Sequence, residues 1–191
     1  MQKLLPDVCA GDDPRPRADL EGASRAVTRC WDRAPLGPRA RSGAPIRAIT
    51  LTRPWPWVML WADKRIENRS WSPPAWLIGG YLLLHAGGGW DAAMWRKLYA
   101  GEFGPAARNV PPKITHAQGC IVGIARLVGW HAYQDGSRNV WELGGTYGRC
   151  CWDLEDVRPF LAVKTKGGQR LWKPSAPVLA EVFRRVPDLA A

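Results

Sequence analysis

A chain of 191 residues, 46% apolar and 23% charged, has the size of one domain with an appendage, and no run of it approaches the roughly 20 apolar residues that a membrane span needs. Twenty-seven Lys and Arg stand against 17 Asp and Glu, a net charge of +10, which points to a polyanionic partner, with nucleic acid first. Pro6 and Asp7 interrupt the start before a signal-peptide core forms, so the expectation is a cytoplasmic protein without a membrane partner. Cys9, Cys30, Cys120, Cys150 and Cys151 are odd in number and form no Cys-x-x-Cys, which speaks against a disulfide framework and for a reducing compartment. His85, His116 and His131 lack metal-ligand spacing, so neither a metal nor a cofactor is expected.

Residues 1–45 mix Pro, Arg, Asp, Gly and Ala without a sustained period and are read as a mostly disordered tail. Within them Leu20, Ala23, Val27 and Trp31 fall at helical spacing, giving a short helix around residues 19–31. The folded domain is placed at 46–191. Ile46–Thr52 predicts a first strand. Pro54 and Pro56 then occupy positions that a helix start tolerates, with Trp57, Leu60 and Trp61 on one face. Arg65–Ser70 alternates as a second strand, ended by Pro73 and Pro74, and Tyr81–His85 is a nearly all-apolar strand.

Asp91 is placed to cap a helix running to about Tyr99, with Trp95 and Leu98 inward. Gly119–Val128 is a long apolar strand. Trp141, Cys151–Leu154 and Val157–Val163 predict further strands, with Gly167 and Gly168 as a tight turn. Ala176–Val186 closes the chain as an amphipathic helix, with Val178, Val182 and Phe183 on one side. Five or six strands and two or three short flanking helices in this order give an α+β class and a small mixed barrel.

Four stretches carry a resemblance. They are Leu51-Thr52-Arg53-Pro54-Trp55-Pro56-Trp57, then Lys64-Arg65-Ile66-Glu67-Asn68-Arg69-Ser70-Trp71, then Tyr81-Leu82-Leu83-Leu84-His85-Ala86. The fourth joins Gly119-Cys120-Ile121-Val122-Gly123 with Lys166-Gly167-Gly168-Gln169-Arg170-Leu171-Trp172. In this order, over about residues 46–175, they resemble the ASCH domain, a branch of the PUA-like β-barrel superfamily. The resemblance implies a barrel whose cleft, between the first helix and the following strand, binds RNA or a modified nucleoside or nucleotide.

Lys64, Glu67 and Arg69 are the centre of that expectation. Glu67 and Arg69 share a strand face by their spacing of two. Lys offers a point charge, Arg a planar fork, and Glu an acceptor for a base amino group. The bland alternative is a structural ion pair that ties the strand to the helix. Trp55, Trp71 and Trp172 are candidate stacking platforms among twelve Trp, against the alternative of barrel core. Arg53 stands where the family usually has Gln and is expected at the cleft mouth, serving a phosphate. His85 is read as a hydrogen-bonded core histidine rather than a base.

Some relatives hydrolyse N4-acetylcytidine with a Thr three residues after the lysine. Here that residue is Glu67, and Gly119–Val128 offers no Asp or Glu, so that amidohydrolase activity is disfavoured. The leading expectation is a binder of RNA or modified nucleotides. The alternatives are a hydrolase or nuclease acting through Lys64, Glu67 and Arg69, and a protein-binding adaptor.

Overall fold

The computed structural model describes residues 38–190. Among them, β1 (Ile46–Arg53) leads into α1 (Trp55–Trp61), whose first turn carries Pro56 where no backbone donor is required. Then follow β2 (Ile66–Arg69), β3 (Tyr81–Trp90), α2 (Ala92–Ala100) and α3 (Pro105–Arg108). The chain ends with β4 (Cys120–Ala132), β5 (Cys150–Lys164), β6 (Leu171–Trp172) and α4 (Ala176–Arg185). The class is α+β, as the sequence implied. No helix among the described residues is long and apolar enough to cross a membrane.

The six strands form one sheet in the order β2-β5-β4-β3-β1-β6. β1 runs parallel to β3, and the other pairings are antiparallel. The two outer strands, β2 and β6, do not pair with each other, so the barrel is curled but open. β1 and β3 are apolar on both faces because both faces are covered. Ile49, Leu51, Leu82 and Leu84 point into one core with Val58 and Met59 of α1 and Trp152 of β5. Ile46, Ala48 and Leu83 point to the other side, where Leu179 and Val182 of α4 close a second core.

The expected strands at 151–154 and 157–163 are one strand, β5, of 15 residues. Between them Asp156 takes a φ of 46°, and the register against β4 slips between Ile124 and Arg126. That is a bulge, which bends a strand without ending it. Trp141 is not in a strand. Its backbone N–H donates to Asn139 Oδ1 at 3.0 Å, a side-chain turn that ends extended pairing. Gly167 and Gly168 serve close approach rather than a turn. A Cβ on Gly167 would lie 2.5 Å from His85 Cε1, and one on Gly168 2.7 Å from Trp172 Cγ.

The domain reaches back beyond Ile46. Ile46 N–H donates to Pro38 O at 2.8 Å, Arg41 N–H donates to Leu189 O at 3.1 Å, and Ala40 is buried in the second core. The composition break at Pro45 therefore does not mark where packing begins. Residues 1–37, including the helix expected at 19–31, lie outside the described residues. Tyr81 N–H also donates to Pro45 O at 2.8 Å, so a chain starting at Pro38 is expected to be more stable than one starting at Ile46 by about 2–4 kcal/mol, for three hydrogen bonds and one small apolar burial. Coincident thermal unfolding curves for the two would show that residues 38–45 contribute nothing.

Candidate functional site

The curl of the sheet brings its edge strand β2 back toward β1, and Arg69 bridges the gap by donating from Nη2 to Thr50 O at 3.4 Å. At this open seam lies a cleft of about 690 Å³. Its walls are Thr50, Leu51 and Thr52 of β1, Trp55 at the start of α1, Lys64, and Glu67 to Trp71 along and after β2. Trp90, Asp91, Ala92, Ala93, Thr146 and Tyr147 complete it.

Lys64 sits at the floor, 1% exposed. Its ammonium donates to Ile66 O, lies 3.8 Å from Glu67 Oε2 and stands 5.4 Å over the Trp55 ring. Burial pushes its pKa down from 10.5 to about 8, and the Glu67 carboxylate opposes part of that fall. Glu67 turns its other oxygen to Arg69 Nε at 2.9 Å. The spacing of two does put both on one face, and the three residues form a chain of charge from floor to rim. The ion pair foreseen as the bland alternative is thus present, and the same three side chains also line the cleft.

Aromatic rings frame these charges. Trp71 meets Trp152 edge-on at 4.7 Å, and its carbonyl accepts the Trp152 indole N–H at 3.0 Å. Tyr147 lies edge-on to Trp55 at 5.6 Å and donates its hydroxyl to Asp91 Oδ2 at 3.0 Å. Desolvation and, after it, that bond to a carboxylate push the Tyr147 pKa up to about 12. Asp91 caps α2 as expected, accepting from Met94 N–H at 2.9 Å, so one carboxylate ends the helix and fixes the tyrosine. Gly148 lets this loop press onto β2. Its φ is 117°, and a Cβ there would fall 2.2 Å from the Arg69 carbonyl carbon.

Of the residues singled out from sequence, Trp55, Lys64, Glu67, Arg69 and Trp71 converge on the cleft. Arg53 and Trp172 do not line it. Arg53 is 4% exposed and spends its guanidinium on Gly88 O at 2.9 Å and Gly89 O at 3.4 Å. The β1–β3 register shifts between Leu51 and Arg53, which turns that side chain toward the glycine run of β3 instead of the cleft mouth. Trp172 supports the wall from behind, donating its indole N–H to Thr50 Oγ1 at 3.1 Å and standing edge-on to His85 at 5.6 Å. His85 is buried and its Nε2 faces Thr165 O at 3.2 Å. Its desolvation lowers the pKa, which keeps it a neutral structural donor.

Thr50, Thr52, Asn68, Trp90, Asp91, Thr146 and Tyr147 were not foreseen as lining residues. For Asp91 and Tyr147 the usable signal was a capping Asp and an aromatic inside a glycine-rich loop. Near the inner end of β2, one potential ligand atom each of His131, Glu142 and Cys151 lies within 4.8 Å of the other two, a grouping that the sequence spacing of the histidines did not suggest.

No protein-family model and no curated protein matches the chain. Among solved structures, the chain is similar to the crystal structure of ASCH from Zymomonas mobilis, with a TM-score of 0.44 and 12% identity over 73% of this chain and 94% of that one. Two point mutants of the Zymomonas mobilis protein give TM-scores of 0.46 at 13% identity, again over 73% of this chain.

Proposed function

We propose that the cleft binds a nucleotide unit of RNA or a modified nucleoside. The observation that carries this reading is the Lys64–Glu67–Arg69 chain, buried at Lys64 and Glu67 and opening at Arg69, beside the rings of Trp55, Trp71, Trp90 and Tyr147 in a cleft of about 690 Å³. That volume suits a small organic ligand held by a few polar groups within apolar walls. A base between two aromatic rings gains about 1–3 kcal/mol. Arg69 and Lys64 supply charge for a phosphate or a base edge, and Glu67 accepts from an exocyclic amino group. The net charge of +10 favours the approach of a polyanion to the chain as a whole.

The test is a panel of nucleosides, nucleoside monophosphates and short RNA oligomers, titrated by calorimetry at two salt concentrations. RNA affinity is expected to fall steeply with salt through counterion release. Salt-independent binding to protein alone would favour an adaptor instead. In Glu67→Gln the shape is kept and the charge is lost. Because Glu67 pairs with both Lys64 and Arg69, the variant is expected to lose about 1–3 kcal/mol of stability and to change which base is preferred. Loss of stability with unaltered base preference in the folded fraction would reduce the three residues to a structural ion pair.

One observation favours a second reading, a hydrolase or nuclease on the same cleft. An amine with a pKa of about 8 can exchange protons near neutrality, as a catalytic lysine does. Turnover of short RNA or acylated nucleosides that Lys64→Met abolishes, while ligand binding persists, would select the enzyme over the binder.

A further inference from the structure

We propose that His131, Glu142 and Cys151 form a binding site for a divalent transition-metal ion, zinc in the first place, beside β2. One ligating atom from each lies within 4.8 Å of the other two. Two of the three are fixed by the sheet. His131 of β4 and Cys151 of β5 stand directly opposite each other in the antiparallel register, which puts their side chains on one face. Glu142 comes from the loop between those strands, and the loop is clamped on either side of it. Asn68 of β2 donates from Nδ2 to Trp141 O at 2.9 Å and accepts from Leu143 N–H at 2.9 Å.

The histidine is also prepared as a ligand. Its Nδ1 lies 3.2 Å from Asp153 Oδ1, and its Nε2 lies 3.3 Å from Glu142 Oε1. A ring whose Nδ1–H is held by a carboxylate presents the Nε2 lone pair, the arrangement in which histidines bind zinc. Metal–ligand bonds of about 2.0–2.3 Å place the donors of a tetrahedral ion about 3–4 Å apart. The imidazole and carboxylate already have that spacing, and a side-chain rotation brings in the sulfur. Thiolate, imidazole and carboxylate together favour zinc over calcium or magnesium, which take oxygen donors. Three protein ligands leave a fourth position for water or a substrate atom. The site and the cleft meet at β2, since Cys151 Sγ is 3.8 Å from Asn68 Oδ1 and Asn68 is one of the residues of the cleft wall. It does not depend on the nucleotide reading.

The test takes the full chain, purified with a thiol reductant, stripped by a chelator and titrated with Co²⁺, then with Zn²⁺. Thiolate charge-transfer and tetrahedral ligand-field bands are expected to saturate at one Co²⁺ per chain and to disappear as Zn²⁺ displaces it, and Zn²⁺ is expected to raise the melting temperature. Both bands are lost in Cys151→Ala and in His131→Gln. The His131 side chain is 40% exposed, so the second variant keeps the test decisive if the first does not fold. Asp153→Asn keeps the bands and weakens binding about 10–100-fold, while Cys150→Ser changes nothing. The proposal is overturned if the folded wild-type protein takes up no ion at one per chain, or if the charge-transfer band survives Cys151→Ala. In either case the trio is a polar contact between His131 and Glu142 beside a buried thiol.

Discussion

Trp152→Ala is expected to lower stability by about 3–5 kcal/mol, the cost of deleting a large core side chain together with the cavity left behind. Trp152 is fully buried on β5, opposite Glu67 on one side and Trp130 on the other. Its ring packs against the edge of Trp71 and its indole N–H holds the Trp71 carbonyl. The deletion therefore empties part of the core and also releases an aromatic wall of the cleft. Trp152→Phe separates the two effects, since it keeps a ring and removes only the indole donor to the Trp71 carbonyl, a hydrogen bond worth about 0.5–1.5 kcal/mol. Urea unfolding gives the stability of each variant, and ligand titration of the folded fraction gives the state of the wall. An alanine variant that unfolds at the wild-type midpoint would falsify the placement of Trp152 at the centre of the core.

The second large effect is a pH dependence that belongs to Lys64. Its pKa falls from 10.5 to about 8 on folding, with desolvation the leading cause. Below about pH 8 the lysine is charged in both states, and the cost of burying the charge, about 3 kcal/mol for this displacement, is present in full. Between about pH 8 and 10.5 the unfolded chain still holds the proton that the folded protein has released. The unfolded state then binds more protons, so this group makes stability rise with pH. Wild-type stability, measured against Lys64→Met, is expected to climb by up to about 3 kcal/mol across that window and to be flat below it.

Ligand binding moves the opposite way. A phosphate beside Nζ favours the ammonium, so nucleotide affinity is expected to weaken as pH rises past about 8, and Lys64→Met to show no such slope. Parallel profiles for the two proteins would remove Lys64 from the binding site.

Much of this arrangement could be read from local sequence. Glu67 and Arg69 sit two apart on an alternating strand, and alternation is a local property that survives folding. The Asp91 cap, the apolar β1 and β3 and the closing helix were readable for the same reason. What escaped depends on long-range geometry. Tyr147 reaches the cleft only because Gly148 lets its loop lie against β2, and Trp90 because β3 continues past His85 to its end. Arg53 carried a plausible charge at a plausible place, yet a register shift between two strands redirected it. The bulge at Asp156 looked like a strand break because Glu155 and Asp156 are polar, and polarity alone does not distinguish a bend from a stop. His131, Glu142 and Cys151 were invisible as a group because strand pairing, not sequence proximity, assembles them.

β6 is only two residues long, yet it pairs with β1, and the Trp172 indole reaches Thr50 from 122 residues away in sequence. During vectorial synthesis β1 emerges early, apolar on both faces, with neither neighbour available. Its β3 partner follows after α1 and β2, and its β6 partner comes near the end of the chain. Until then an open strand edge is a template for pairing with other chains, and α4, which covers the second core, is later still. The nascent chain is thus most vulnerable to self-association over the interval between β1 and β6. Ribosome-bound intermediates arrested before Leu171 should be far more dependent on chaperone shielding than those released after α4.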